Sequence, residues 1–339
     1  MDIKSFLSTI ASVLVALIVY GIFIMYFGGD PLDAYYRMFR NSYLDPNGLY
    51  ETLRLAGSLA ILSAGLALVF KAGIWNIGAE GQYIIGGIAS GYVIYVFGFG
   101  IENPIIPVLT GMLIASLYSA LPAYLKYKLD VNEVLTTLML NYVAIYILFY
   151  HVYGVWRDPS TFGFPVTPEI SEGYRLPDIL GVNFLFPLSI GVSIVAYYIL
   201  FRSRYGFKLR VYGENREAAK YSRYNLFSLI VGSMALSGLA SGLAGVGDFL
   251  SYYHRFKPGY AAGLGYTAII TTLVGESNPL YTLISSIFFA GLLYGANTIS
   301  IVAGVPFEGI YIFEGVLLAF IISRKYLGRW IKWMGEGSS

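Results

Sequence analysis

Residues 72–87 read AGIWNIGAEGQYIIGG. Asn76, Glu80 and Gln82 stand in an otherwise apolar region, punctuated by Gly73, Gly78, Gly81, Gly86 and Gly87. Polar groups in hydrocarbon are costly unless they are partnered or face a wet cavity. Asn76 and Glu80 are four apart and share a face if the segment is helical. The glycines either let another helix come close or break this one, and a broken helix exposes backbone groups that can bind a solute. The competing reading is a cytoplasmic turn between two spans, with Glu80 paired locally.

The composition around this stretch makes a bilayer the natural solvent. Of 339 residues 57% are hydrophobic and only 12% charged, with mean hydropathy +0.65; soluble domains carry roughly 25% charged residues. Gly occurs 39 times, as is usual where membrane helices approach closely. Tyr occurs 31 times, and many can sit at the membrane–water interfaces. There is no Cys, which excludes disulfides, thiolate metal sites and Cys nucleophiles. The net charge of +2 is too small to indicate a nucleic-acid partner.

A span needs about 20 mostly apolar residues to cross a hydrocarbon core of about 30 Å. Candidate spans lie near 6–27, 53–70, 77–98, 104–125, 133–153, 183–201, 226–247, 259–275, 279–299 and 305–322. The expected fold is therefore an all-α integral membrane protein of about ten transmembrane helices in a single domain, 1–339. The third and eighth spans are rich in Gly and interrupted by polar residues. The first is too long for a signal peptide and has no small-residue cleavage site after it, so it reads as a retained helix.

Loop charges test the count. With the N-terminus in the cytoplasm and strict alternation, 15 of the 22 basic residues fall on the cytoplasmic side, including Lys4, Lys71, the 202–223 cluster and Arg324, Lys325, Arg329 and Lys332; 7 fall outside, among them Arg54, Arg175 and Arg255. The bias follows the positive-inside rule, with both termini cytoplasmic. Residues 28–52 and 154–182 become external loops, and 202–225 the main cytoplasmic loop. No GxxxxGK[ST] motif is present, so the driving energy comes from a partner or an ion gradient.

Two further segments carry polar residues of interest. In LDVNEVLTTLMLNYVA (129–144), Asp130 or Asn132 can cap the fifth span, and Glu133 suits the positive end of its dipole. Thr137 and Asn141, four apart and deeper, either line a pathway or hydrogen-bond between helices. In the cytoplasmic loop, Asn215 can cap a short surface helix running from Arg216 to about Tyr224, with Glu217 in its first turn and Lys220 later. Ala218 and Ala219 would leave a low ridge able to enter a groove on another protein; the plainer reading is a basic loop obeying topology. Asp248, His254, Glu308 and Glu314 are isolated, and no paired-carboxylate, Ser/His/Asp or metal-ligand constellation stands out.

Taken in order, AGIWNIGAEGQ, DVNEVLTTLMLNY, GFKLRVYGENREAAKYSRYN and TAIITTLVGESNPL resemble the permease subunits of ABC importers for nucleosides and simple sugars, from about residue 50 to 325. The family includes ribose-type permeases and is related to those for branched-chain amino acids; NIGAEGQ resembles the nucleoside branch. The resemblance implies about ten spans in two structurally related halves, here helices two to five and seven to ten. It implies that Gly213, Glu214, Asn215, Arg216, Glu217, Ala218 and Ala219 form the coupling helix that docks on an ABC ATPase subunit. It also implies a second, different permease subunit and an external solute-binding lipoprotein. ATP would be bound by the ATPase, and this chain, a transport subunit and not an enzyme, would bind no cofactor. Asn76, Glu80, Gln82, Thr137 and Asn141 are the candidates for the solute pathway. The external loop 154–182 has no match to the family pattern. An alternative within the family is a simple-sugar permease. From a different class, an ion-coupled secondary carrier would need buried carboxylate pairs, for which Glu314 and Glu80 are the available residues.

Overall fold

The computed structural model describes residues 3–98, 102–161 and 163–336, and these are helical apart from loops and one isolated bridge between Ile179 and Val182. The helices are α1 (Ile3–Tyr26), α2 (Pro31–Phe39), α3 (Pro46–Lys71), α4 (Ala79–Tyr92), α5 (Ile105–Leu129), α6 (Glu133–Tyr150), α7 (Leu185–Arg202), α8 (Arg204–Glu214), α9 (Arg216–Tyr221), α10 (Leu226–Asp248), α11 (Leu264–Val274), α12 (Pro279–Ala303) and α13 (Gly309–Glu336). Among the described residues seven helices are long and apolar enough to cross a membrane: α1, α3, α5, α6, α7, α10 and α12. Single π-turns extend α4 to Phe97, α6 to Val155 and α10 to Tyr253. Lys4, Arg324, Lys325, Arg329 and Lys332, counted above toward the cytoplasmic side, lie outside the residues whose side chains are described.

The sequence expected a loop over 28–52, and here the structure differs. Asp30 accepts from the Leu32 amide at 2.9 Å and starts α2, with Pro31 at its first position. Helix α3 begins at Pro46, seven residues before the apolar run that marked it. Residues 202–225 likewise hold one helix more than expected, because Ser203 caps α8 through the Gly206 amide at 3.0 Å. Asn132, and not Asp130, caps α6; Asp130 instead ends α5 in the left-handed region, at φ 53°.

The chain falls into two compact units, Met1–Thr52 with Phe288–Ser339, and Leu53–Ile287. In the first, the buried Tyr20 ring meets Phe313 edge-on at 6.5 Å, and Ser42 donates to the Gly291 carbonyl at 2.7 Å. In the second, α3 is buried all round, from Leu59 to Val69. Helices α4, α5 and α10 pack so closely that small residues alone fit between them. A Cβ on Gly86 would stand 2.6 Å from the Gly242 Cα, and one on Gly238 would stand 3.0 Å from the Ser116 Cα. Small residues at a helix interface permit this main-chain approach. Leu109, Leu113, Leu117 and Leu121 make an exposed apolar stripe at fourfold spacing on the far side of α5, a face fit for lipid.

Candidate functional site

Helix α3 stops at Gly73, whose φ of +68° favours glycine. The Gly73 amide donates to Phe70 O (3.0 Å) and the Ile74 amide to Val69 O (3.0 Å), the pair of bonds that closes a Schellman cap, and Ile74, the apolar residue that commonly follows such a cap, is fully buried. The chain then runs non-helically to Ala79. A buried stretch of this kind must find partners for its backbone polar groups.

Helix α6 supplies them. Glu133, Thr137 and Asn141 recur every four residues and so form one stripe. Glu133 Oε1 lies 3.5 Å from the Trp75 amide, and Thr137 Oγ1 accepts from the Ile77 amide at 3.2 Å. The Asn141 carboxamide donates to Ile77 O (2.8 Å) and accepts from the Gly81 amide (2.8 Å). Lys126 pairs with Glu133 at 2.6 Å. Asn76 accepts from the Gly78 amide and exchanges two hydrogen bonds with Gln82, at 3.1 and 3.0 Å, while also donating to Ser237 of α10. The five residues singled out from sequence thus come together, and all are buried: Asn76, Glu80, Gln82, Thr137 and Asn141 are at most 4% exposed.

Glu80 faces a second interruption. After α10 the chain turns at His254 and descends beside α4. The Phe256 ring reaches Gly91 and Gly87, Tyr260 reaches Gly87, and Gly263 and Gly265 reach Glu80. From Gly91 to Glu80 is a drop of about 16 Å at 1.5 Å per residue. Helix α11 begins only there, and its 11 residues are too short to cross a bilayer. The Glu80 carboxylate accepts from the Gly263 amide (2.9 Å) and the Gly265 amide (2.7 Å), meeting the positive end of α11 and two of its otherwise orphan donors.

A second buried charged group escaped the sequence reading, which left Asp248 isolated and counted Arg54 only as a basic residue of the external side. Asp248 accepts from Ser58 (2.7 Å) and Tyr83 (2.6 Å); Arg54 lies 3.6 Å from its other oxygen and 3.6 Å above the Tyr252 ring. The available signal was the spacing of Arg54 and Ser58, four apart on one face of α3.

The 154–182 loop is stitched to the start of the descending segment. Leu176, Ile170 and Thr167 donate backbone bonds to Leu250, His254 and Phe256, at 2.9, 2.9 and 3.0 Å. Glu169 pairs with both Arg255 and Arg175, and the Arg255 guanidinium above all holds its carboxyl below the usual range. In the 202–225 segment, Asn215 caps α9 through the Ala218 amide (3.0 Å). Glu217 binds Lys220 at 2.7 Å and holds its ammonium above the usual range. Gly213, Glu214, Asn215, Arg216 and Glu217 are exposed and Ala218 is half-buried. Ala219 is fully buried within the chain, so the expected two-alanine ridge is corrected: only Ala218 of the pair reaches solvent. The α8 end sits backbone-on-backbone against the α3 cap, where a Cβ on Gly213 would stand 3.0 Å from the Ala72 carbonyl carbon.

The model of the family described as branched-chain amino acid transport system / permease component matches residues 48–323. The chain belongs to that family. It is a multi-pass membrane permease component, and the clasp around 72–82 and the α8–α9 hairpin both lie inside the matched region. A glucose ABC transporter permease protein of Haloferax volcanii is 28% identical over 95% of this permease and 88% of its own length. A guanosine ABC transporter permease protein of Bacillus subtilis is 27% identical over 80% of each chain. A nucleoside ABC transporter permease protein of Lactococcus lactis is 24% identical over 88% of this permease and 86% of its own length. No solved structure matches significantly.

Proposed function

We propose that the chain is the membrane-spanning subunit of an ATP-driven importer of nucleosides. The supporting observation is the NIGAEGQ segment, built into a clasp by the α6 stripe, in a chain whose relatives include guanosine and nucleoside permease proteins. A monosaccharide is the second reading, favoured by the nearly full-length similarity to the Haloferax volcanii glucose permease protein. ATP is bound and hydrolysed by a separate ABC ATPase subunit docked on residues 213–219, and an external lipoprotein delivers the solute. A second permease subunit completes the pathway. The permease itself holds no cofactor.

Ten spans follow if α4 with its π-turn, α11 and α13 are added to the seven long helices. The two halves are then α3–α6 and α10–α13, each carrying one interrupted segment. Asn76, Glu80, Gln82, Thr137 and Asn141 frame the solute pathway by holding the two interruptions in shape. Uptake of radiolabelled guanosine and glucose by vesicles holding the whole complex decides the substrate: guanosine uptake competed by other nucleosides and not by hexoses is expected, and Asn76→Ala should lower it. Uptake of glucose alone would transfer the assignment to the sugar reading.

Both termini and 202–225 are placed in the cytoplasm and 154–182 outside. Ser171 and Ser222 are exposed in a Cys-free chain. An impermeant thiol reagent added to intact cells should label Ser171→Cys and spare Ser222→Cys; labelling of the latter would invert the topology.

A further inference from the structure

One chain of contacts between the two faces of the second unit runs through a single side chain. On the side of α8, Gly213 rests on the Lys71–Gly73 cap. That cap leads into residues 74–78, held by Thr137 and Asn141, and then directly to Glu80 at the start of α4. Both Glu80 oxygens are occupied by the amides of Gly263 and Gly265, at the foot of the descending segment. The head of that segment, Leu250 to Phe256, carries the bonds from Leu176, Ile170 and Thr167 in the 154–182 loop. The same contact is rigid where it matters, because a Cβ on Gly265 would stand 2.5 Å from the Glu80 Cα, leaving the two backbones no slack.

We propose that Glu80 is a positioning residue that ties the cap under the coupling segment to the segment under the external loop, so that docking events on one face set the conformation of the other. This rests on the reading of 213–219 as the ATPase contact. A carboxylate suits the task because it offers two acceptors to two amides. A glutamine keeps the shape but offers one acceptor, and turns an N–H toward an N–H. Glu80 contacts main chain at both ends and acts through it.

The test uses the assembled transporter carrying a fluorescent label on Ser171→Cys. Binding of a non-hydrolysable ATP analogue to the ATPase should change the label's emission in the otherwise native permease. With Glu80→Gln the response, read at matched ATPase occupancy, should fall about tenfold or more, within the usual range of coupling between sites. Gly73→Ala strains the cap at the other end of the path, where the φ of +68° favours glycine, and should weaken the response likewise; it serves if the Gln variant does not fold. A full response in either folded variant overturns the proposal. An unchanged response with an altered guanosine KM would also overturn it, and make Glu80 a solute ligand. Failure of the native chain to co-purify an ATPase would overturn the partner reading on which the proposal stands, and is separated from it by that control.

Discussion

Gly242→Leu should leave almost no correctly folded permease in the membrane. A Cβ at 242 would stand 2.6 Å from the Ala115 Cβ and 3.1 Å from the Met112 Cα, and a Cβ on Gly86 would itself stand 2.6 Å from the Gly242 Cα. Gly238 and Gly242 on α10 face Gly111, Ala115 and Ser119 on α5, both rows at fourfold spacing, so three backbones meet along one seam. Overpacking a core costs about 1–3 kcal/mol and occasionally more. Here the obstruction is largely main chain, which cannot rotate away, so the cost exceeds that range and reaches the lower end of a total stability of roughly 5–15 kcal/mol. The control is Gly191→Leu on α7, where nothing lies within 4 Å of the added Cβ. Size-exclusion profiles in mild detergent should show aggregate for the first and a native peak for the second. A native, transporting Gly242→Leu protein would mean that the α4–α5–α10 seam is looser than described.

The second large effect belongs to the α8–α9 hairpin. Tyr221 ends α9 and is 87% exposed, an aromatic ring held out on a capped helix beside an exposed Lys220. Exposed aromatics of this kind become anchors in protein interfaces, where truncation often costs 2 kcal/mol or more. At about 1.4 kcal/mol per tenfold, Tyr221→Ala should weaken binding of the ATPase subunit by roughly 30-fold. Ala219→Glu should behave differently. Its side chain is fully buried within the hairpin, so an uncompensated carboxylate there disrupts the hairpin itself. Titration of purified ATPase against detergent-solubilised permease separates the two: weaker binding with unchanged permease stability for Tyr221→Ala, and lowered thermal stability together with lost binding for Ala219→Glu. Undiminished affinity in the Tyr221 variant would move the docking surface away from α9.

The legible part of this molecule was the part written in local pattern. Seven long helices announce themselves by unbroken hydropathy, and Asn76, Glu80, Gln82, Thr137 and Asn141 by polarity in an apolar setting. Helix α2 was hidden because its buried face is only Ala34 and Met38, too little to raise hydropathy over nine residues. Helix α11 looked doubtful as a span because it is a half-length helix, entered from a buried non-helical segment. The fourfold spacing of Thr137 and Asn141 was visible, but the main chain they bind lies 60 or more residues away, beyond any periodicity. The Asp248 pairing reaches 190 residues back to Ser58, and no local rule carries that far. The inward turn of Ala219 was out of reach for a different reason. A six-residue helix has too few positions to define an apolar face from sequence.

The Glu80 contact also sets a schedule for biosynthesis. Its two amide partners follow it by 183 and 185 residues. At about 5–20 residues per second the ribosome needs roughly 10–40 s to deliver them. Throughout that interval the nascent chain holds an apolar helix with a carboxylate near its start and nothing yet to receive it, so α4 cannot settle until most of the chain has been made. A product truncated before Gly263 therefore lacks both partners of this carboxylate and carries it unseated.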